Sequence, residues 1–342
     1  MVAAASVPPL TRARYMAQRA GWLAQGIALR TVLGLVSQEE RPTIDEEVVR
    51  TVRARYRALM ARDLENVEQG HYPASLLTDM PRRRTLLPFI ADLPRARARR
   101  VRKGWNELPD EVDLRDYPPY YRRNFHWQTD GWFSRRSAQL YDFSVEVLFL
   151  GSADVIRRQL IPHVARETAD KDGAPLRILD AACGTGRFLG QLARALPQHR
   201  YTGLDLSAWY LHEAREKLGH VAHLSLVEDN AEATALRDDT FDVTTSIYLL
   251  HELPPRARRA VLAELARVTA PGGLVLLMDA VQLVDHPELE PILDGFHRAF
   301  HEPFFRSWMD ADLAALARDA GLQVERVETW HVSKLVVARV PA

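Results

Sequence analysis

Two hydrophobic rhythms divide the chain near residue 150. Before it, apolar positions recur every three or four residues and clear strands are absent. Ile44, Val48, Val52, Tyr56, Leu59 or Met60, Leu64 and Val67 fall on one helical face. Thr43 with Glu46 reads as a capping box at the start of that helix. From Ala174 onward, short apolar runs alternate with amphipathic stretches. The runs predict strands at Leu176–Ala181, Arg200–Leu204, His223–Val227, Phe241–Ile247 and Leu274–Met278. Between them, Arg187–Leu196 reads as a helix, Ser207 caps another through Leu218, and Pro254–Thr269 is amphipathic. Pro271-Gly272-Gly273 turns into the fifth strand. Asp310 opens a helix that stops at Gly321, and Gln323–Trp330 with Lys334–Val340 form a closing hairpin. Such alternation predicts a mostly parallel sheet with helices on both faces. The expected organisation is a helical N-terminal domain over 1–136 and an α/β domain over 137–342.

Composition narrows the class. The 342 residues suffice for two domains, and 45 basic residues balance 45 acidic ones, so no global field favours nucleic acid or an anionic membrane. The single Cys183 forms no intrachain disulfide and builds no thiolate metal site, which fits a reducing compartment. The apolar run Gly21 to Val36 is too short to span a bilayer and carries Arg30. A cytoplasmic protein is expected, the Ala-rich, Arg-bearing start having weak transit-peptide character at most. Nothing chooses between monomer and homodimer.

The chemistry gathers around Leu176 to Leu189. A buried strand there ends in Asp180, passes Ala182 and Cys183, and enters a Gly184-Thr-Gly186 turn that feeds a helix. Glycine lets backbone approach a ligand closely, and this strand–turn–helix is how α/β proteins cradle an adenosine-bearing cofactor. Asp205 ends the second strand roughly 20 residues on, where an acid meets a ribose hydroxyl pair. Asp229-Asn230-Ala231 follows the third strand, where an amide or carboxylate accepts from an adenine amino group. Tyr248 and Leu249 follow the fourth, beside the crevice at the strand ends. A nicotinamide cofactor fits less well. Leu189 stands where its fingerprint needs a third glycine, and Asp180 would repel a pyrophosphate. That acid suits an ammonium group instead.

These features resemble the class I S-adenosylmethionine-dependent methyltransferases, over residues from about 137 to 340. Leu179-Asp-Ala-Ala-Cys-Gly-Thr-Gly186 carries most of the likeness. Gly203-Leu-Asp-Leu206-Ser207, Asn230-Ala-Glu-Ala before Asp239-Thr-Phe-Asp242, Leu249-Leu-His-Glu-Leu253 and Pro271-Gly-Gly273 resemble the ubiquinone and menaquinone biosynthesis group. The resemblance implies a Rossmann-like core with a seven-stranded, mostly parallel sheet. It implies S-adenosyl-L-methionine as cofactor and S-adenosyl-L-homocysteine as product. Asp180 and Gly184 would hold the methionine end, Asp205 and Leu206 the ribose, and Asn230 with Ala231 the adenine. Tyr141 resembles the family's lid tyrosine. Ala182 stands in place of the usual first glycine, which is expected only to narrow the pocket slightly. Asn230 aligns with the usual adenine-side Asp, with Asp229 one place earlier, and either could point inward.

The acceptor side is less patterned. His251, directly after the fourth strand, is the candidate general base, against a role in positioning the loop. Tyr120, Tyr121, His126, Trp127 and Trp132 form an aromatic stretch suited to a small-molecule pocket or to inter-domain core. His297 and His301 lie in an insertion expected to be a lid over the acceptor. No metal site is expected there, since Arg298 replaces the usual Glu and Pro303 ends any helix. Pro81 to Lys103 holds nine basic residues against Asp92, and the acidic segment Trp105 to Asp116 follows, so both read as solvated faces. Tyr248-Leu-Leu-His251 departs from the Asn/Asp-Pro-Pro-aromatic pattern of methyltransferases that act on exocyclic amino groups. The expectation is methyl transfer to a small, partly hydrophobic acceptor at oxygen or activated carbon, with no nucleic acid partner and no membrane span. The alternatives are an RNA or protein methyltransferase docking through the Arg-rich region, and a non-catalytic cofactor-binding regulator.

Overall fold

The computed structural model describes residues 6–32, 44–81 and 85–342. Three long helices come first: α1 (Pro9–Val32), α2 (Glu46–Glu68) and α3 (Leu86–Arg102). Then α4 (Arg135–Leu148), α5 (Ala153–Arg158) and α6 (Ile161–Asp170) lead into the sheet. Thr43 lies outside the described residues. The cap of α2 is Asp45, whose side chain accepts from the Glu47 N–H at 2.7 Å. An acid at this place also faces the positive end of the helix.

Strands and helices alternate from there: β1 (Arg177–Ala181), α7 (Arg187–Ala195), β2 (Arg200–Asp205), α8 (Ala208–Leu218), β3 (Leu224–Glu228) and β4 (Phe241–Ile247). They continue with α9 (Pro255–Val268), β5 (Thr269–Ala280), α10 (Glu290–Ala299), α11 (Phe305–Met309), α12 (Leu313–Asp319), β6 (Gln323–Trp330) and β7 (Ser333–Arg339). The seven strands run in the order β3-β2-β1-β4-β5-β7-β6. The first five are parallel, and β7 is antiparallel to both β5 and β6. The order reverses between β1 and β4, so a crevice opens at their carboxyl ends.

Three expectations need correction. The fifth strand begins at Thr269, and Pro271-Gly272-Gly273 forms an irregularity within it. Its register against β4 shifts between Phe241 and Val243, and Gly272 takes φ +71°. The predicted helix from Asp310 is split. Asp312 caps α12 by accepting from the Ala314 N–H at 2.9 Å, while Asp310 ends α11 and pairs with Arg306. The basic run is only partly solvated. Arg102 pairs with Glu107 at 2.7 Å, but Arg99 is buried and donates to the Trp127 carbonyl at 2.8 Å. Arg82, Arg83 and Arg84 lie outside the described residues.

The N-terminal helices and the sheet share apolar core. Tyr15, Leu59, Met60 and Leu76 pack in one buried cluster with Ile156, Phe188, Leu192 and Leu276. Inside it, Asp63 accepts from Tyr15 at 2.8 Å, Tyr72 at 2.6 Å and Arg158 Nε at 2.9 Å, all buried. A buried ion pair persists where hydrogen bonds complete it, as they do here on the carboxylate. Gly203 explains how Leu189 fits below the glycine turn. A Cβ on Gly203 would meet Cys183 Sγ and Leu189 Cδ1 at 2.8 Å, so β2 gives way where α7 does not.

Candidate functional site

The glycine turn is held from both sides. Asp205 Oδ2 accepts from the Gly184 N–H and Oδ1 from the Ser207 N–H, each at 2.8 Å. The carboxylate thus bridges the turn after β1 to the start of α8. On the far side, Thr185 Oγ1 donates to Asp142 Oδ1 at 2.6 Å, and Lys217 Nζ donates to Asp142 Oδ2 at 2.7 Å. This anchors α4 over the turn and brings Tyr141 to its mouth. Gly184 has φ +56°, and a Cβ there would meet only Tyr210, at 3.9 Å. The space above Gly184 is therefore open to a ligand. Ala182 also lies in the left-handed region, at φ +60°. Its replacement of the usual glycine thus acts on the backbone, at a cost of about 1–2 kcal/mol, rather than merely narrowing the pocket.

A cleft of about 720 Å³, mouth included, opens here at the ends of β1, β2 and β4. Tyr141, Ala182, Gly184, Asp205, Leu206, Asp229, Asn230, Ala231 and Tyr248 all line it. Asp180 does not. It is buried behind the turn and accepts from Thr245 Oγ1 at 2.7 Å. Burial pushes its carboxyl up to about 7, against the Thr245 hydrogen bond. Burial also pushes Asp205 up to about 6, against the two backbone N–H groups. Asp229 spends its oxygens on its own turn, accepting from the Asn230 and Ala235 N–H groups at 2.8 Å. Asn230 Oδ1 accepts from the Glu232 N–H at 3.0 Å. Tyr248, at φ +57°, turns its hydroxyl to Ser333 at 2.6 Å.

On the acceptor side, Tyr120, Tyr121 and Trp132 line the cleft. The Tyr120 hydroxyl donates to Glu232 at 2.5 Å, and Trp132 packs edge-on against Tyr141 and Tyr210. Trp127, His297 and His301 do not reach it. Trp127 Nε1 donates to the Ala299 carbonyl at 3.1 Å, and His301 sits between the Trp127 and Trp105 rings. His297 Nδ1 lies 3.1 Å from the Glu302 carbonyl oxygen, closing the end of α10. Trp127 and His301 hold the lid to the aromatic loop, while His297 braces the lid itself.

His251 lies one layer behind the cleft. Its Nδ1 is 2.6 Å from Asp279 Oδ1, and its ring packs edge-on against Phe305. Burial pulls its pKa down, but Asp279 overrides that and the net displacement is upward. The cleft wall beside it is Glu252, whose Oε1 is 4.0 Å from His251 Nε2 and 3.4 Å from His126 Nε2. His126 in turn stands 3.1 Å from Glu302 Oε1. Sequence reasoning passed over Glu252, Glu302 and Tyr210. Glu252 was visible in the run after β4, but no spacing rule marked it. Arg258, buried on α9, fastens this region. It donates to the carbonyls of Leu250 at 2.8 Å, Phe304 at 2.8 Å and Ser307 at 3.1 Å.

Residues 178–273 match the family model described as a methyltransferase domain. The chain is 33% identical over 144 residues to a fatty-acid O-methyltransferase of Mycolicibacterium smegmatis, covering 42% of this chain and 52% of that protein. It is 37% identical over 125 residues to a ubiquinone/menaquinone biosynthesis C-methyltransferase of Methylobacterium nodulans, covering 36% and 48%. The chain thus spans about half the length of the curated relatives it matches. Among solved structures, an O-methyltransferase family protein from Burkholderia thailandensis aligns at 21% identity and a TM-score of 0.43, covering 61% of this chain and 64% of that one. Around residues 178–273, the chain carries a methyltransferase domain of the class I, S-adenosylmethionine-dependent kind.

Proposed function

We propose that the chain methylates a small, partly apolar acceptor at oxygen or an activated carbon. The observation that carries this is the pairing of the Asp205-locked Gly184 turn with an adjoining cleft walled by Tyr120, Tyr121, Trp132 and Tyr141. An aromatic wall with a few polar groups suits a small organic molecule. The names of the two curated relatives, a fatty-acid O-methyltransferase and a ubiquinone/menaquinone biosynthesis C-methyltransferase, support the same class.

When bound, S-adenosylmethionine supplies a methyl group on a sulfonium, so the chain must align the acceptor, exclude water and accept any proton released. In this reading the lone pairs left on Asp205 accept from the ribose hydroxyls, and Asn230 and Ala231 face the adenine. Asp180, behind the turn and raised to about 7 by burial, would give up its proton to balance the ammonium of the amino-acid end. Tyr141 on α4 covers the mouth and keeps it dry. The His251–Asp279 pair, one layer behind the cleft, is the acid–base group, and Glu252 stands between it and the cleft. The basic face of α3 is the feature that an RNA or protein acceptor would use. It lies outside the cleft lining, and its Arg99 and Arg102 are engaged within the chain.

The test is calorimetry with S-adenosylhomocysteine, followed by mass spectrometry of turnover on fatty acids, phenols and quinols, with RNA as comparison. A saturable S-adenosylhomocysteine complex and a methylated small molecule are expected. Turnover on RNA alone would overturn the acceptor class.

A further inference from the structure

We propose that His126, Glu252 and Glu302 form a binding site for a divalent transition-metal ion just behind the cleft wall, which Glu252 lines and His126 and Glu302 do not reach. One ligand atom from each lies within 4.8 Å of the others. A bound ion at about 2.0–2.2 Å from each ligand needs them about 3.4 Å apart, which side-chain rotations of about 1 Å supply.

The local charges call for a cation. The Glu302 side chain is fully buried, and neither of its oxygens has a hydrogen-bond partner. His126 Nδ1 faces Glu302 Oε1 at 3.1 Å, yet it too makes no hydrogen bond. Three buried polar atoms therefore converge without satisfying one another, in a pocket walled by Phe296 and Phe300. An unpaired buried carboxylate is costly. Burial pushes the Glu302 carboxyl up to about 8, so an ion there would take the place of its proton. The nearest other cationic groups are engaged. His251 is tied to Asp279, and Arg258 spends its donors on carbonyls. A divalent ion balances two carboxylates with a neutral imidazole.

The backbone is shaped to place these groups. His126 and Trp127 both sit in the left-handed region, at φ +52° and +59°, in the short turn Phe125–Trp127. Glu302 is presented just beyond α10, where the His297 contact holds its carbonyl. One imidazole and two carboxylates suit manganese, iron or zinc better than a soft ion. Three protein ligands leave coordination positions free, as at sites where an ion meets a substrate oxygen. That last consequence rests on the methyl-transfer reading, while ion binding does not.

The experiment uses the full chain stripped with a chelator and titrated with Mn²⁺ by electron paramagnetic resonance and with Zn²⁺ by calorimetry. The expected result is one ion per chain, with affinity falling at least about tenfold in Glu302→Gln and His126→Gln and unchanged in His301→Gln. Circular dichroism establishes that each variant folds, and Glu302→Gln, which keeps the side-chain shape, decides if His126→Gln does not. No saturable binding up to about 1 mM ion overturns the proposal, as does binding unaffected by Glu302→Gln. S-adenosylhomocysteine binding measured on the same samples separates the two readings, since its loss with ion binding intact would count against the methyl-transfer reading alone.

Discussion

Removing the Asp205 carboxylate should damage two things at once. In the free protein it accepts from the Gly184 and Ser207 N–H groups, each at 2.8 Å. Asp205→Ala strands both donors, and each such loss costs about 1–3 kcal/mol when the group stays shielded from water. Part of that returns, because burial already holds the Asp205 carboxyl up to about 6, so a strained charge is deleted as well. A net destabilisation of roughly 1–3 kcal/mol is expected, read as a lower urea midpoint. In the complex, the same carboxylate would accept two ribose hydroxyls. Charge-assisted bonds of roughly 1.5–3 kcal/mol each make the affinity loss about 10²–10⁴-fold. The assay is calorimetry with S-adenosylhomocysteine well below the melting transition of the variant. A folded variant that binds within about threefold of wild type would refute the ribose assignment. A variant that loses binding with an unchanged urea midpoint would refute the bracing role.

Asp180→Asn tests the buried acid behind the turn. Its folded pKa, up to about 7, lies above the ordinary carboxylate value, so the folded state keeps a proton that the unfolded chain releases. Wild-type stability should therefore fall as pH rises from about 4 to 7, and the Asn variant should lack that loss, gaining at most roughly 4 kcal/mol by pH 8. Equal urea midpoints at pH 5 and pH 8 for the pair would contradict this. Ala182→Gly relieves a left-handed alanine and should stabilise the chain by about 1 kcal/mol; an unchanged or lowered urea midpoint would mean the turn is not strained there. His251→Gln should lower kcat about 10²-fold while S-adenosylhomocysteine affinity holds, and unaffected turnover would remove His251 from the reaction.

The methyl-donor half of the cleft was readable because backbone needs wrote it into residue types. A glycine that must leave room at φ +56° and an acid that must brace a turn recur at set distances from a strand end. Six of the seven strands were likewise placed by apolar runs of strand length. The fifth was cut short because Pro271-Gly-Gly273 looks like a turn and is an irregularity inside the strand. The acceptor half was not readable in the same way. Glu252 and Glu302 are 50 residues apart in sequence, meet His126 from a third segment, and follow no period. His297 and His301 drew attention as lid residues over the acceptor. Tertiary packing instead set His301 between the lid and the aromatic loop and His297 against the Glu302 carbonyl within the lid.

Arg258 sets where this cleft can open. Its guanidinium joins the turn that carries His251 and Glu252 to the lid that carries Phe304 and Ser307. Parting them would strand three carbonyls and a buried cation, a loss of several kcal/mol. Those two segments therefore travel as a single jaw. The opposing side, the 117–133 loop with α4, grips the core through Thr185–Asp142 and Ser207–Trp132 hydrogen bonds and the lid through Trp127–Ala299. Opening the cleft on that side therefore means releasing both grips, and release rates should respond to substitutions at Thr185, Ser207 or Trp127.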